Sequence, residues 1–117
     1  MTIADLPAVR LPNAALIAAE RGVPVLDVVV PVYNEQAALA DSVHRLHRYL
    51  RENFTVSFRI TIADNASVDA TPEIAAALAD ELAEVRAVRL EQQGRGRALH
   101  TVWSASDAAV LVYMDVD

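Results

Sequence analysis

The sequence predicts an α/β fold built on an open, mainly parallel sheet with helices on both faces. Two observations support this prediction. Short apolar runs rich in valine and isoleucine alternate with segments of helical periodicity, in the order β-α-β-α-β-α-β, and parallel strands need such helical crossovers. The first run, Leu26–Val32, also lacks polar alternation, which is typical of a parallel strand buried on both faces.

Length and composition narrow the class of protein further. The 117 residues suit one domain, and the absence of cysteine excludes a disulfide framework, a thiol nucleophile and a zinc site with cysteine ligands. The chain has 10 basic and 16 acidic residues and a net charge of −6. Because nucleic-acid binding requires clustered positive charge, we expect no nucleic-acid partner.

Residues 1–25 are predicted to form a weakly ordered leader. They mix proline, alanine and scattered charges, without the basic start and apolar core of a signal peptide. No uncharged stretch of the chain approaches the roughly 18–20 apolar residues of a membrane-spanning helix. We therefore expect a cytoplasmic location, although a peripheral membrane role stays open.

Local patterns define the first two β-α units. Residues 58–63 form a second apolar run, and a polar loop follows it at 64–69. Thr71 is the predicted N-cap of the second helix, with Pro72 at its first position and Glu73 near the positive end of its dipole. The first helix is predicted from an apolar stripe at spacings of four, three and four: Leu39, Val43, Leu46 and Leu50.

The second half of the chain continues the alternation. Val85–Leu90 is a third strand candidate, a glycine-arginine loop at 94–97 leads into a third helix, and residues 108–114 form a fourth strand. The pattern Gly94-x-Gly96-x-x-Leu99 mimics a dinucleotide-binding fingerprint. Leu99 stands where close packing of helix on strand requires a glycine, so an oxidoreductase domain of that kind is the least favoured alternative.

Polar side chains follow every predicted strand. In open parallel sheets, ligands bind at the edge where the strands have their carboxyl ends. That edge collects an aromatic ring, carboxylates and arginines: Tyr33 and Glu35 after the first strand, Asp64 after the second, Arg95 and Arg97 after the third, and Asp115 and Asp117 after the fourth. Four strands that each bring a polar group to one edge predict a ligand site there.

The groups at this edge have a functional and a structural interpretation. Asp115 and Asp117 are hard oxygen ligands suited to Mg²⁺ or Mn²⁺ carrying a diphosphate, although strands often end in polar residues. Tyr33 would stack on a planar base or pack as a core tyrosine. Asp64 would accept hydrogen bonds from a base or ribose, or would hold its own loop in an Asx-turn.

Arginines and histidines add weaker signals. Arg95 and Arg97 lie in a glycine-containing loop and suit the binding of a phosphate group. His44 and His47 lie one helical turn apart, but no third metal ligand is in view, so a solvated position is favoured. Asp69 is expected to hold its loop rather than a ligand.

Four segments resemble the start of a family 2 glycosyltransferase with the GT-A fold. The resemblance is strongest to polyprenol-phosphate sugar transferases such as dolichol-phosphate mannosyltransferases. The segments are VVVPVYNE at 28–35, IADNASVDAT at 62–71, GRGRA at 94–98 and YMDVD at 113–117. They occur in the family's order, and the resemblance covers residues 26–117.

The resemblance implies a role for each matching residue. Pro31, Tyr33 and Glu35 would line the nucleotide pocket, Ile62 and Asp64 would contact the base, Arg97 would be the basic residue of the glycine-arginine loop, and Asp115, Val116 and Asp117 would hold the diphosphate through Mg²⁺ or Mn²⁺. One loop departs from the family, which commonly has Asp-Asp-Gly-Ser where this chain has Asp-Asn-Ala-Ser at 64–67. Because alanine tolerates a left-handed backbone less well than glycine, we expect a different loop geometry at Ala66.

By this resemblance, residues 26–117 are the donor-binding part of an inverting, metal-dependent glycosyltransferase. It would bind a nucleoside-diphosphate sugar for transfer to an acceptor such as polyprenyl phosphate, in cell-wall or glycolipid biosynthesis. The family's catalytic base and acceptor half lie beyond its Asp-x-Asp motif, so we expect a truncated, inactive domain and a membrane-associated full-length protein. The alternatives are a non-catalytic nucleotide-binding module and a truncated fragment with no function of its own.

Overall fold

The valine-rich segment Leu26–Val32 forms β1, an inner strand of a parallel sheet. The computed structural model describes residue 3 and residues 24–55, 57–90, 106–108 and 110–116, and all structural statements refer to these. The elements that follow are α1 (Leu39–Asn53), β2 (Phe58–Asn65), α2 (Thr71–Glu81), β3 (Val85–Leu90) and β4 (Val110–Tyr113). The strand order across this sheet is β3-β2-β1-β4, and every pairing is parallel.

Strand register places apolar side chains in line across one face of the sheet. Val28 pairs with Ile60 and Val30 pairs with Ile62, and all four side chains are fully buried. The predicted stripe of α1 packs on this face, since Leu39, Val43, Leu46 and Leu50 belong to the same core cluster. Helix α2 joins that cluster through its buried residues Ala75 and Leu78. The main core therefore lies between one sheet face and both helices.

The opposite face of the sheet carries a smaller apolar cluster, centred on Val29 and Ala63 with Val88, Leu111 and Tyr113 beside it. Both described helices lie on the other face. The predicted third helix falls within residues 91–105, outside the described residues, so the expectation of helices on both faces stays a prediction for that segment. In the described part of the chain, no helix is long and apolar enough to cross a membrane.

Helix α2 begins differently from its prediction. Thr71 was the predicted N-cap, but Thr71 is the first helical residue and Ala70 precedes it without a capping side chain. Asp69 Oδ1 instead accepts hydrogen bonds from the Thr71 amide and the Thr71 hydroxyl, at 2.8 and 2.5 Å. Because Asp69 satisfies an amide of the first turn and places a negative charge there, it stabilises the helix start in place of Thr71.

Candidate functional site

The carboxyl ends of β1, β2 and β4 meet at one edge of the sheet. Val32, the last residue of β1, pairs with Asp64 of β2, and the ladder between β1 and β4 extends to the hydrogen bond from the Met114 amide to the Val29 carbonyl. The predicted residues Tyr33, Glu35 and Asp115 thus follow neighbouring strands at this edge. Asp64, predicted to follow the second strand, is instead the next-to-last residue of β2, because β2 continues to Asn65. Arg95, Arg97 and Asp117 lie outside the described residues.

Two loops at this edge are joined by hydrogen bonds between the backbone of one loop and the side chains of the other. We call residues 33–38 the first loop and residues 66–71 the second loop. Three successive amides of the first loop donate to the second: Asn34 to Ser67 Oγ at 2.8 Å, Glu35 to Thr71 Oγ1 at 2.8 Å, and Gln36 to Asp69 Oδ2 at 3.4 Å.

Contacts in the reverse direction complete the junction between these loops. The Val68 amide donates to Asn34 Oδ1 at 2.9 Å, and the Ala70 amide donates to Gln36 Oε1 at 3.1 Å. Each loop therefore satisfies backbone amides of the other. This mutual bonding holds Tyr33, the residue before Asn34, with 43% of its surface exposed at the sheet edge, which suits the predicted stacking on a base.

Asp64 is 2% exposed and both of its oxygens have partners within the protein. Oδ1 accepts the Ser67 amide at 3.1 Å, and Oδ2 accepts Arg89 Nη1 at 2.9 Å. Arg89 Nη2 also donates to the Ser67 carbonyl at 3.0 Å. The structural interpretation of Asp64, as the residue that holds its own loop, therefore describes the geometry.

Backbone dihedrals correct one expectation for this loop. Ala66 has φ 59° and so adopts the left-handed conformation that glycine favours, although it carries a Cβ. The substitution of alanine for the family's glycine has therefore not removed the left-handed backbone. It adds a conformational cost of about 1 kcal/mol at this position. Asn34 in the first loop has φ 51°, a conformation that asparagine tolerates well.

The segment after β4 is held against both β1 and α1. Asp115 is half-buried, and its carbonyl accepts the Ile3 amide at 3.2 Å. The Val116 carbonyl accepts the Ser42 hydroxyl at 3.3 Å, and the Val116 side chain is 6% exposed within the main core. These contacts direct the backbone of the predicted metal motif while leaving Asp115 partly open to solvent.

Three other residues predicted to bind the nucleotide differ in exposure. Ile62 is fully buried in the main core, so its side chain offers no surface to a base. Pro31 and Glu35 are half-buried. Any contact between Ile62 and a ligand would require its backbone, whereas Pro31 and Glu35 retain side-chain surface.

Asp115 is the described carboxylate of the predicted metal motif. Asp115 supplies a carboxylate oxygen, which Mg²⁺ and Mn²⁺ prefer, and it lies at the carboxyl end of the sheet. Among the described residues, no three histidine, aspartate or glutamate side chains lie close enough together to hold a metal ion. The partner carboxylate of the motif, Asp117, lies outside that set.

The two histidines of α1 contact carboxylates rather than each other. His44 Nε2 lies 2.6 Å from Glu81 Oε1, and His47 Nε2 lies 2.5 Å from Glu84 Oε1. His47 is also buried, with its ring edge-on to Phe58. These pairs join α1 to the end of α2 and the turn that follows, so the predicted solvated position is wrong for His47.

The sequence analysis did not predict a buried polar cluster on the sheet face opposite the helices. This cluster consists of Asp27, Arg59, Thr61 and Ser106. Asp27 is fully buried in β1. Its Oδ2 accepts Arg59 Nη2 at 2.8 Å and Ser106 Oγ at 2.9 Å, and its Oδ1 accepts Thr61 Oγ1 at 2.7 Å. The sequence did contain a signal for this cluster, because Asp27 is the one charged residue in the apolar run 26–32. A charge buried in a strand requires a partner.

Hydrogen bonds shift the pKa of two groups in these clusters. Burial acts to raise the pKa of Asp69, but hydrogen bonds from the Thr71 hydroxyl and from the Thr71 and Gln36 amides outweigh it and hold the pKa below its usual value. Burial acts to lower the pKa of Arg59, but the hydrogen bonds and charges of Asp27 and Asp107 raise it overall. Both groups are therefore held in their charged forms.

Sequence comparison places the chain among known proteins. The profile of the family described as Glycosyl transferase family 2 matches residues 27–117. The chain is 37% identical over 114 residues to glycosyltransferase AglD of Haloferax volcanii, and the match covers 95% of this chain and 18% of the relative. The chain thus spans a small part of that relative's length.

Structural comparison identifies the same fold in solved proteins. The mannosyltransferase PcManGT from Pyrobaculum calidifontis, in complex with GDP-Man and Mn²⁺, matches with a TM-score of 0.69 at 22% identity over 98% of this chain and 32% of that chain. Mannosyl-3-phosphoglycerate synthase from Rubrobacter xylanophilus matches with a TM-score of 0.66 at 18% identity over 99% of this chain and 36% of that chain. The predicted α/β fold of the GT-A type is thereby confirmed.

Proposed function

Because the chain belongs to glycosyl transferase family 2, we propose that it binds a nucleoside-diphosphate sugar as the donor for glycosyl transfer. The observation that supports the proposal is the junction of the first and second loops, which brings Tyr33 and Asp64 to the same sheet edge as Asp115. Ligands of open parallel sheets bind at this edge. An aromatic ring, a buried carboxylate and a carboxylate suited to a divalent metal would together supply the chemistry that a nucleoside diphosphate requires.

Each end of the donor would meet a different part of the edge. The exposed Tyr33 would stack on the base, and the remaining acceptor positions of Asp64 would take hydrogen bonds from the base or ribose. Asp115 with Asp117 would hold a divalent metal at the diphosphate, and Arg97 would pair with its phosphates. The structural relative from Pyrobaculum calidifontis was solved with GDP-Man and Mn²⁺, which supports this type of donor and metal.

A divalent ion held by Asp115 and Asp117 would neutralise charge on the departing nucleoside diphosphate. Within this chain, the loop junction would keep Tyr33 oriented before the donor arrives, so that less conformational freedom is lost on binding. The acceptor for which we propose this donor is polyprenyl phosphate.

Calorimetry with the purified chain tests the donor site. GDP-mannose and a UDP-sugar are titrated separately, each with and without Mn²⁺, against the wild type and Asp115→Ala. We expect one donor to bind in a Mn²⁺-dependent manner and Asp115→Ala to weaken binding tenfold or more, because a metal-ligand oxygen is lost. Asp80→Ala, at an exposed position of α2, is the matched control and should bind like the wild type.

The other outcomes separate the alternatives. Binding that does not depend on Mn²⁺ or on Asp115 would favour a non-catalytic nucleotide-binding module. No binding by the folded chain would contradict the proposal and favour an inactive fragment. Binding of NAD in place of either sugar nucleotide would favour the oxidoreductase alternative.

A further inference from the structure

Arg89, the next-to-last residue of β3, contacts the neighbouring strand and the second loop at the same time. Its Nη1 donates to Asp64 Oδ2 at 2.9 Å, and its Nη2 donates to the Ser67 carbonyl at 3.0 Å. Strand register pairs Arg89 with Asp64 at the carboxyl edge of the sheet. Because two nitrogens of the planar guanidinium are bonded, its orientation is fixed more strictly than one hydrogen bond would allow.

Ser67 connects this arginine to the first loop. It is 2% exposed, and each of its polar groups has a different partner. Its carbonyl accepts Arg89, its amide donates to Asp64 Oδ1 at 3.1 Å, and its Oγ accepts the Asn34 amide at 2.8 Å. A shift of Ser67 after the loss of Arg89 would therefore displace the oxygen that holds the Asn34 amide.

The Asn34 amide belongs to the peptide unit that joins Tyr33 to Asn34, and a peptide unit is planar. Its hydrogen bond to Ser67 Oγ therefore sets the orientation of the backbone directly after Tyr33. A continuous series of contacts thus leads from Arg89 on β3 to Tyr33 after β1, across the intervening strand β2. Stacking depends on the orientation of the ring, so these contacts bear on how Tyr33 would meet a base.

We propose that Arg89 is a positioning residue for nucleotide binding at the donor site. By holding Asp64 and the Ser67 carbonyl, it keeps the second loop in the arrangement in which Ser67 fixes the peptide after Tyr33. This inference rests on the proposed function, because it assigns Arg89 a role toward the base on which Tyr33 would stack. Arg89 acts through Ser67, and a contact between Arg89 and the nucleotide is not part of this role.

Calorimetry on the purified chain, with Mn²⁺ in excess, measures the affinities for GDP and for UDP. Arg89→Ala is expected to weaken binding of the preferred nucleotide about fivefold, which is typical of coupling within one hydrogen-bond network. Arg89→Lys keeps a positive charge beside Asp64 but not the planar fork, so it should recover part of that loss. If Arg89→Ala does not fold, Arg89→Lys takes its place in every comparison, with a smaller expected loss.

Arg86→Ala is the matched control. Arg86 lies on the same strand, and its side chain is 39% exposed against 49% for Arg89. Three positions separate the two arginines, so they face opposite sides of the sheet, and Arg86 Nε donates to Thr61 Oγ1 at 3.2 Å. Each variant removes an arginine that is hydrogen-bonded to β2, so both should lower the melting temperature by a few degrees. Arg86→Ala should nevertheless bind the nucleotide like the wild type.

A second comparison tests whether Arg89 acts through Tyr33. Tyr33→Leu keeps an apolar side chain but removes the aromatic ring that would stack on the base. If Arg89 serves to orient that ring, Arg89→Ala should weaken nucleotide binding by no more than about twofold in the Tyr33→Leu background. A general loosening of the fold would instead weaken binding equally in both backgrounds.

Three results would overturn the role of Arg89 while leaving the donor site intact: unchanged nucleotide affinity in Arg89→Ala, an equal loss in Arg86→Ala, or an undiminished effect of Arg89→Ala in the Tyr33→Leu background. Absence of GDP and UDP binding by the wild type would overturn the proposed function, and the role of Arg89 with it.

Discussion

Two buried aspartates, each paired with an arginine across parallel strands, are used differently in this molecule. Asp27 lies on the second sheet face and is fully buried. It bonds to side chains: Arg59 and Ser106 donate to Oδ2, and Thr61 donates to Oδ1. The side chain of Arg59 is only 17% exposed. Both charges of this pair are therefore shielded from water.

Asp64 lies at the carboxyl edge and is similarly buried, but its partners are of another kind. It accepts the Ser67 amide and one nitrogen of Arg89, whose side chain is 49% exposed. The inner aspartate, Asp27, joins strands through side chains that are largely shielded from water. The edge aspartate holds a loop backbone and an arginine that water can solvate.

The largest expected effect is a difference in the free energy of unfolding lost when each aspartate is replaced by alanine. Asp27→Ala removes the buried carboxylate that accepts from Arg59, Thr61 and Ser106 and leaves Arg59 with the more exposed Asp107, which should cost about 3–5 kcal/mol of the free energy of unfolding. Asp64→Ala leaves the Ser67 amide unpaired, but Arg89 can turn to water, so about 1–3 kcal/mol is expected. Urea unfolding monitored by circular dichroism measures both values.

Asp27→Asn serves as a milder companion in case Asp27→Ala does not fold. The asparagine retains an acceptor for Arg59 but no negative charge. The free energy of unfolding of Asp27→Asn should therefore lie between those of the wild type and Asp27→Ala. Equal losses for Asp27→Ala and Asp64→Ala would break the comparison, since the solvent exposure of the arginine would then not matter.

An intermediate effect is expected for the pH dependence of stability that Asp69 of the second loop confers. The folded state lowers the pKa of Asp69 from its ordinary value near 3.8. This carboxylate therefore adds stability above that pH, and the added stability is lost as the pH falls through the lower, folded-state pKa. Asp69→Asn should lower the melting temperature at pH 7 and converge with the wild type at strongly acidic pH.

Thermal melts of both proteins between pH 7 and pH 2 measure this convergence. Asp80→Asn, which removes an exposed carboxylate of the same helix, is the control and should follow the wild type throughout. A constant gap between Asp69→Asn and the wild type at every pH would show that the charge of Asp69 is not what stabilises the second loop and the start of α2.

The smallest expected effect concerns backbone strain in the second loop. Ala66 holds φ 59°, so Ala66→Gly should stabilise the protein by about 0.5–1 kcal/mol through relief of that strain. Ala77→Gly, on an exposed position within α2, should instead destabilise by about 1 kcal/mol, because glycine is a poor helix former. Opposite signs in urea unfolding are expected, and destabilisation by both would contradict the strained loop.

Elements governed by local pattern were predictable from the sequence. The bounds of β1 and β3 agree with their predictions, and the four stripe residues of α1 are buried. Burial on one face imposes a period of 3.6 on helices, and burial on both faces gives continuous apolar runs in strands. These signals need no information about neighbouring elements.

The contacts of side chains whose partners lie on other elements were not predictable in the same way. Thr71 has the residue type of an N-cap, but its hydroxyl accepts the Glu35 amide and donates to Asp69. His47 reads as a surface residue, yet Glu84 and Phe58 enclose it. In both cases the deciding partner belongs to another element of the fold.

The sequence by itself determined the alternation of strands and helices, the family, and the collection of Tyr33, Asp64 and Asp115 at one sheet edge. Only the tertiary structure decided which polar groups hold one another: Asp27 with Arg59, Asp64 with Arg89, and Ser42 with Val116. Periodicity follows from chain geometry and burial, which are local. Hydrogen-bond partners 25–74 positions apart depend on strand register and helix placement, which exist only once the chain is folded.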